Sequence, residues 1–332
     1  MKISFFSAKP YDRAFFGRLN EAFGFEFIFY ETHLGPHIVN VVEASDAVCA
    51  FVNDKLSAEV LGTLANRGVK YIAMRCAGFN NVDLDAARKY GLRVCRVPSY
   101  SPEAVAEHAL AMMLTLNRKT HKAYNRVREQ NFSLNGLMGF NLHGKTIGVV
   151  GTGNIGKAFI RLMSGFGCEL LAYDLAEDDA LKAAGVRYTP LSELYSRADV
   201  ISLHCPLTED TKHLINPASL KLMKPGVMII NTSRGGLIDT TAALEGLRSK
   251  RIGYLGIDVY EQEEKLFFRD LSQTILDDDA IQLLMSFPNV LVTGHQAFFT
   301  AEALEEIAST TLTNLSRLSQ GLNPENPAAL LV

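Results

Sequence analysis

The sequence predicts an α/β protein made of two units, each a mostly parallel β-sheet covered by helices. The chain has 332 residues, which corresponds to about two domains at roughly 150 residues per domain. Short apolar segments alternate with amphipathic segments along most of the chain, as expected for strands that alternate with helices. This alternation is interrupted once, near residues 98–102, and then resumes, which indicates that a second unit begins there.

Five short apolar segments in the first hundred residues are typical of buried parallel strands. The predicted strands are Lys2–Phe6, Phe25–Tyr30, Asp46–Phe51, Tyr71–Met74 and Arg93–Val97. Amphipathic segments lie between them, and the predicted helices are Tyr11–Phe23, Ala58–Arg67 and Leu84–Tyr90. Strands connected in this way run parallel, with helices on both faces of the sheet.

A proline-containing segment, 98–102, ends this first series. Ser101 is suited to cap a helix and Pro102 to begin it, because the missing N–H of proline is not needed in the first turn. The residues from Glu103 to about Gln130 then predict one long helix, which we interpret as the connection into the second unit.

The second unit repeats the alternation. The predicted strands are Thr146–Val150, Leu170–Asp174, Asp199–His204, Val227–Asn231, Tyr254–Asp258 and Val290–Thr293. The predicted helices are Ile155–Phe166, Pro217–Met223, Thr240–Ser249 and Ala301–Ser319.

The composition excludes several classes of protein. With 48% apolar and 21% charged residues, the chain as a whole is neither disordered, nor collagen, nor a coiled coil. Its 33 basic and 36 acidic residues predict no binding to nucleic acid or to an anionic membrane surface. The sequence contains neither an apolar stretch of membrane-spanning length nor a metal motif such as H-E-x-x-H. Five scattered cysteines and a short N-terminal apolar segment predict a cytoplasmic protein.

The clearest motif directly follows the predicted strand Thr146–Val150. Residues 151–156 read GTGNIG, a G-x-G-x-x-G sequence that opens an amphipathic helix. The next predicted strand ends at Asp174, 18 residues after Gly156. A strand, a glycine-rich turn, a helix and an acidic residue at this spacing predict a dinucleotide-binding unit.

Each position of this motif has a physical role. Gly151 permits the tight turn, Gly153 lets the backbone approach a pyrophosphate, and Gly156 lets helix and strand pack closely. The N–H groups at the start of the helix favour the phosphates. Asp174 would accept hydrogen bonds from the ribose hydroxyls and repel a 2′-phosphate, so the expected cofactor is NAD rather than NADP.

Ligands of such sheets bind outside the carboxyl ends of the strands, so we expect the reacting groups there. Among eight histidines, His295 follows a predicted strand and is favoured as the proton carrier, with His204 second. Arg234 follows another strand and could hold a carboxylate or polarise a carbonyl. Glu263 lies just beyond a third predicted strand and could orient the imidazole of His295.

These motifs carry a family resemblance that spans nearly the whole chain. The sequence resembles the D-2-hydroxyacid dehydrogenases, and among them the bacterial fermentative D-lactate dehydrogenases. The segments that match are 75–83, 97–108, 151–156, 204–208, 231–239, 256–263 and 293–300.

The resemblance implies a discontinuous flavodoxin-like substrate domain, residues 1–100 and 299–332, and a Rossmann NAD domain, residues 101–298, with a cleft between them. It implies reversible reduction of pyruvate to D-lactate by NADH. In that reaction Arg234 would bind the 2-keto acid, His295 would be the acid/base and Glu263 would pair with it.

The resemblance also assigns binding residues. For the cofactor they are Asn154 and Ile155 at the pyrophosphate, Cys205 and Pro206 at the adenosine, and Thr232 and Asp258 at the nicotinamide. The backbone of Ala77 and Gly78 would cradle the substrate carboxylate. Phe79, Tyr100 and Phe298 are candidates for limiting substrate size, a preference worth only about 1–3 kcal/mol per methylene.

Two alternatives remain open from the sequence. The first is a reductase for another 2-keto acid of the same family, which differs in the size of the pocket. The second is an NAD-sensing binding protein, which the complete set of Arg234, Glu263 and His295 disfavours. The resemblance further implies a homo-oligomer, dimer or tetramer.

Overall fold

The computed structural model describes residues 1–332, apart from the side chain of Lys265, and it divides into two compact units. Unit 1 contains Met1–Ser101 and Phe299–Val332, and unit 2 contains Pro102–Phe298. Each unit is built around one parallel sheet with helices. The predicted fold class, two parallel-sheet α/β domains, is therefore confirmed.

Unit 1 has a five-stranded sheet. Its strands are β1 (Lys2–Phe5), β2 (Glu26–Phe29), β3 (Ala47–Ala50), β4 (Tyr71–Met74) and β5 (Arg93–Arg96). Its first helices are α1 (Pro10–Leu19), α2 (Ala58–Asn66) and α3 (Leu84–Lys89). All pairs are parallel in the order β2-β1-β3-β4-β5. This is the strand order of flavodoxin-like folds.

Unit 2 has a seven-stranded sheet. Its strands are β6 (Thr146–Val150), β7 (Glu169–Tyr173), β8 (Arg187–Tyr188), β9 (Val200–Leu203), β10 (Val227–Asn231), β11 (Ile252–Ile257) and β12 (Val290–Val292). Its helices are α4 (Pro102–Arg118), α5 (Thr120–Arg128), α6 (Asn154–Ser164), α7 (Asp179–Ala183), α8 (Leu191–Arg197), α9 (Pro217–Leu222), α10 (Thr240–Arg248) and α11 (Asp279–Ser286). The parallel order β12-β11-β10-β9-β6-β7-β8 extends the Rossmann arrangement by one strand.

The chain returns to unit 1 for its last helix, α12 (Ala301–Ser319), which packs on α1 and β4. The final residues then run antiparallel to the edge strand β5. Cys95 forms a bridge with Leu330, and the N–H of Leu331 donates to the carbonyl of Val94 at 2.8 Å. This pairing covers backbone groups that an edge strand would otherwise expose.

The long helix predicted from 103 to 130 is wrong in one respect, because it is two helices. Lys119 lies between α4 and α5 with φ 51°, in the left-handed region that interrupts a right-handed helix. Its ammonium donates to the carbonyls of Gly136 and Met138, at 2.8 and 3.0 Å. Apolar periodicity continues through the break, so the sequence pattern does not reveal it. The short elements α7, α8, β8 and α11 were also not predicted.

The central strands explain why the apolar pattern is continuous rather than alternating. Every residue of β6, β9 and β10 is buried, because helices cover both faces of the sheet. No helix in the described part of the chain is long and apolar enough to cross a bilayer.

Candidate active site

The turn after β6 contains three glycines, and the space around them differs. Gly151 has φ 95°, and a Cβ there would lie 2.6 Å from the backbone nitrogen of Cys205. A Cβ at Gly156 would overlap the carbonyl oxygen of Gly151. At Gly153, by contrast, no atom lies within 4 Å of the position a Cβ would take. Packing therefore requires Gly151 and Gly156, whereas Gly153 leaves space beside the backbone.

The N-terminus of α6 faces this turn with unused donors. The first N–H that pairs within the helix belongs to Lys157, which donates to the carbonyl of Gly153 at 2.9 Å. Among the described residues, the N–H groups of Asn154, Ile155 and Gly156 donate to no acceptor. Consecutive donors at a helix N-terminus are suited to bind a phosphate group.

Asp174, directly after β7, is held next to the same turn. Its Oδ2 accepts hydrogen bonds from the N–H of Thr152 at 2.6 Å and from its hydroxyl at 3.2 Å. The N–H of Ala176 donates to Oδ1 at 3.3 Å. Burial by itself would raise the pKa of Asp174, but these hydrogen bonds outweigh it and lower the pKa below its usual value. Asp174 is therefore an anion at neutral pH, as binding of the ribose hydroxyls of NAD requires.

The segment after β10 contributes a buried hydroxyl. The Oγ1 of Thr232 is buried and has no hydrogen-bond partner among the described residues, whereas the neighbouring Ser233 donates to the carbonyl of Cys205 at 2.6 Å. Buried polar atoms are normally paired, so Thr232 Oγ1 is suited to contact a ligand. Burial raises the pKa of the Cys205 thiol to about 11, which keeps it neutral, and Pro206 beside it is exposed. Together with the glycine turn and Asp174, this segment fits NAD.

His295 and Glu263 form a close pair. His295 Nδ1 lies 2.8 Å from Glu263 Oε1, and Glu263 Oε2 accepts a hydrogen bond from the N–H of Tyr260 at 2.9 Å. Each side chain is 19% exposed. The carboxylate therefore orients the ring through Nδ1 and leaves Nε2 for a reacting group. A dyad of this kind can donate and accept a proton.

Asp258 supports the turn that carries His295. Its side chain is fully buried and accepts hydrogen bonds from the Thr293 hydroxyl at 2.5 Å and from the N–H groups of Gln296 and Ala297, both at 2.9 Å. His108 Nε2 lies 3.4 Å from its Oδ1. Burial would raise the pKa of Asp258, but these hydrogen bonds outweigh it and lower the pKa. Both carboxylate oxygens of Asp258 are thus hydrogen-bonded within unit 2. The resemblance implies that this residue also lies at the nicotinamide.

Arg234 lies on the neighbouring segment, after β10. Its carbonyl accepts a hydrogen bond from Asn231 Nδ2 at 2.9 Å, and its own Nη1 donates to the carbonyl of Ser233 at 2.7 Å. A Cβ at Gly235 would overlap the backbone of Tyr260, so the Arg234 segment packs directly on the segment that leads to Glu263. Arg234, Glu263 and His295 follow β10, β11 and β12, which are adjacent and parallel, and so they lie at one edge of the sheet.

His204, the second candidate for the proton carrier, is unsuitable. Its ring is buried, and Nε2 lies 2.9 Å from the Ser202 hydroxyl. Burial lowers the pKa of His204 to about 3, so it stays neutral at neutral pH. Its position at the end of β9 made it a candidate, and the depth of that position in the core is what excludes it.

The substrate residues expected in unit 1 lie in the turn after β4. Among the described residues, the N–H groups of Ala77 and Gly78 donate to no acceptor, which leaves two adjacent donors for an anion. Arg96 donates from Nη1 to the carbonyl of Ala77 at 2.7 Å, and its guanidinium lies 5.0 Å from the centroid of the Phe79 ring. Sequence reasoning missed Arg96, although its place at the end of the neighbouring strand was a signal.

The two other aromatic residues differ in burial. Tyr100 is half-buried in unit 1, whereas Phe298 is 7% exposed in unit 2. The Phe298 ring lies edge-on to the His295 imidazole, with 6.5 Å between centroids. Phe298 therefore borders the His295–Glu263 pair. No group of three His, Cys, Asp or Glu side chains among the described residues could hold a metal ion.

The chain is similar to known proteins over most of its length. Residues 110–297 match the model of the D-isomer specific 2-hydroxyacid dehydrogenase, NAD binding domain. The chain is 55% identical over 321 residues to the D-lactate dehydrogenase of Escherichia coli K12, which covers 97% of this chain and 98% of that one. The apo-structure of D-lactate dehydrogenase from Escherichia coli superposes with a TM-score of 0.91 at 52% identity, over 100% of both chains.

A solved structure with bound ligands is also similar. The D-lactate dehydrogenase from Aquifex aeolicus complexed with NAD and lactic acid has a TM-score of 0.88 at 35% identity and covers 99% of each chain. The match spans both units, the glycine turn and the His295–Glu263 pair. The chain therefore belongs to the D-2-hydroxyacid dehydrogenase family, and it is an NAD-dependent oxidoreductase.

Proposed function

We propose that this protein reduces pyruvate to D-lactate with NADH, reversibly. The observation that carries the proposal is the His295–Glu263 pair, with its 2.8 Å contact, at the same sheet edge as the dinucleotide turn. The 55% identity to a D-lactate dehydrogenase over nearly the whole chain supports pyruvate as the 2-keto acid.

In the reduction direction, bound NADH supplies a hydride to the keto carbon. Protonated His295 gives its proton from Nε2 to the keto oxygen, while Glu263 stabilises the imidazolium through Nδ1. In the oxidation direction neutral His295 takes the hydroxyl proton. Proton transfer of this kind contributes about 10²–10⁴-fold to the rate.

The guanidinium of Arg234 binds the substrate carboxylate and favours the negative charge that develops on the keto oxygen. The family resemblance further implies that the backbone donors of Ala77 and Gly78 in unit 1 bind a substrate carboxylate. It also makes Phe79, Tyr100 and Phe298 candidates for limiting the size of the substrate, and these assignments are part of the proposal. The assignments of Asn154, Ile155, Asp174, Cys205, Pro206, Thr232 and Asp258 to cofactor binding are part of the same proposal.

We also propose that the protein is a homo-oligomer. Unit 2 exposes large apolar side chains that are close together in the sequence, and their exposed fractions lie between 49% and 85%. They are Tyr124, Val127, Phe132, Leu134 and Met138. Light scattering should find a dimer or tetramer at micromolar concentration, and a Leu134→Asp, Met138→Asp variant should dissociate. A monomeric wild type would contradict the proposal.

A cytoplasmic location is the third part of the proposal. The five cysteines are scattered and reduced, which is typical of proteins from a reducing compartment. Fractionation should recover the protein with cytoplasmic markers. Recovery in a membrane or secreted fraction would overturn this part alone.

The enzymatic proposal is tested by turnover of a panel of 2-keto acids with NADH. Pyruvate should exceed 2-ketobutyrate, hydroxypyruvate and phenylpyruvate in kcat/KM, with D-lactate as the product. His295→Gln should lower kcat by about 10²–10⁴-fold and leave NADH affinity unchanged. Preference for a larger acid would keep the mechanism and change the substrate. Tight NADH binding without any turnover would favour an NAD-sensing protein.

A further inference from the structure

Arg96, the last residue of β5, connects two separate parts of unit 1. From Nη1 it donates to the carbonyl of Ala77 at 2.7 Å, and from Nε it donates to the carbonyl of Ala328 at 3.0 Å. Its guanidinium also lies over the ring of Phe79, 5.0 Å from the centroid. One side chain therefore joins the turn after β4 to the C-terminal segment.

The hydrogen bond to Ala77 determines how the turn presents its donors. In a planar trans peptide the C=O and the N–H point in opposite directions. Because Arg96 holds the Ala77 carbonyl, the N–H of Gly78 in the same peptide points away from the guanidinium. The Cys76 thiol donates to the Gly78 carbonyl at 3.2 Å, which restrains the next peptide too. The turn is thus held with its N–H groups available for an anion.

Charge adds to this orientation. Arg96 is a cation at any working pH, although burial lowers the pKa of its guanidinium. A cationic donor on the carbonyl polarises the peptide and makes its N–H a stronger donor. Arg96 therefore favours binding of an anion at the Gly78 N–H, on the side of the peptide opposite to the guanidinium.

We propose that Arg96 is a positioning residue for the substrate carboxylate, acting through the Ala77–Gly78 peptide, and that the C-terminal segment holds Arg96 in place through Ala328. This inference rests on the proposed function, in which Ala77 and Gly78 bind the carboxylate. Arg96 acts on substrate binding rather than on proton transfer, which belongs to His295 in unit 2.

The same strand offers a matched control. Arg93 also contacts the C-terminal part of the chain, donating from Nη2 to Asn323 Oδ1 at 2.6 Å and from Nε to the carbonyl of Val332 at 3.4 Å. Its hydrogen bonds reach the C-terminal segment and not the turn after β4. A change at Arg93 therefore removes contacts to Asn323 and Val332 but leaves both Arg96 contacts, to Ala77 and to Ala328, in place.

The experiment compares R96Q, R96K and R93Q with the wild type at saturating NADH. For R96Q we expect the KM for pyruvate to rise about tenfold or more, the affinity for oxamate measured by calorimetry to fall by a similar factor, and kcat to change less than about threefold. R96K, which keeps the charge, should recover part of the KM. R93Q should stay within about twofold of the wild type.

Several outcomes would overturn the inference. They are an unchanged KM in R96Q, equal KM increases in R96Q and R93Q, and a loss in R96Q that lies in kcat alone. If R96Q does not fold, the comparison of R96K with R93Q decides, because only R96K alters the turn. If the wild type turns over no 2-keto acid, the proposed function fails, and oxamate binding in the presence of NADH still tests Arg96.

Discussion

At the scale of single residues, His295 combines an unusual backbone with a fixed side chain. Its φ of 53° lies in the left-handed region, which residues other than glycine rarely adopt. Its N–H donates to the Asp258 carbonyl at 2.7 Å, and the Asp258 carboxylate accepts the N–H groups of the next two residues. These contacts hold the backbone in that conformation, and Glu263 then fixes the ring.

The first prediction concerns Glu263→Gln. An amide cannot stabilise the imidazolium that His295 forms, so kcat should fall by about 10²-fold or more. NADH affinity should not change, because Glu263 makes no contact with the glycine turn. Stopped-flow turnover and NADH titration would measure both quantities.

Glu261→Gln is the matched control for this change. Glu261 is two residues away and lies 2.6 Å from His213 Nε2, and it also accepts a hydrogen bond from the Thr240 hydroxyl at 2.9 Å. It should therefore keep kcat within about threefold of the wild type. Equal losses in the two variants would show that any carboxylate in this segment matters, and that Glu263 has no special role.

At the scale of elements, the junction of β6 and α6 separates what folding requires from what binding requires. Gly156 meets the carbonyl of Gly151 directly, so its missing side chain is a packing requirement. Gly153 has open space beside it and lies next to unused helix N–H groups. One motif thus contains both a glycine that packing requires and a glycine that borders open space.

The second prediction follows from this difference. Gly156→Ala should lower the free energy of unfolding by roughly 1–3 kcal/mol or more, since a backbone carbonyl has to move. Gly153→Ala should unfold like the wild type but raise the Kd for NADH about tenfold, because its Cβ would occupy space that the pyrophosphate needs. Denaturant unfolding and NADH fluorescence titration measure the two effects. Wild-type NADH affinity in Gly153→Ala would refute the assignment.

At the scale of the whole molecule, a buried neutral histidine makes stability depend on pH. His204 has a folded-state pKa of about 3 because of burial, whereas an unfolded chain protonates histidine near its ordinary value of 6.5. Below pH 6.5 the unfolded state therefore binds a proton that the folded state does not. The free energy of unfolding falls as the pH falls, by up to about 1.4 kcal/mol per pH unit.

The third prediction is that His204→Gln weakens this pH dependence. Between pH 7.5 and pH 5 the wild type should lose about 2 kcal/mol more of its free energy of unfolding than the variant does. Urea unfolding of both proteins at the two pH values gives the difference, and the contributions of all other titrating groups cancel in it. The same pH dependence in both proteins would mean that His204 takes up a proton in the folded state.

The structural features that sequence reasoning missed have a common origin. Arg96 contacts Ala328, which is 232 positions away, and its charge alone does not distinguish it from other arginines. The break at Lys119 leaves the apolar periodicity intact. Asp258 was predicted as a cofactor contact from its place after β11, and only the folded turn shows its four partners. Such features depend on contacts between distant residues, which no local pattern contains.

The sequence by itself determined the fold class, the dinucleotide turn and the choice of Arg234, Glu263 and His295. These rest on local signals, namely strand and helix periodicity and motif spacing, because residues that follow parallel strands reach one edge of a sheet in any fold of this class. Tertiary structure alone decided that the final residues pair antiparallel with β5, and that His204 is neutral. Packing and burial set these outcomes, since they depend on which distant segments meet and how much water they exclude.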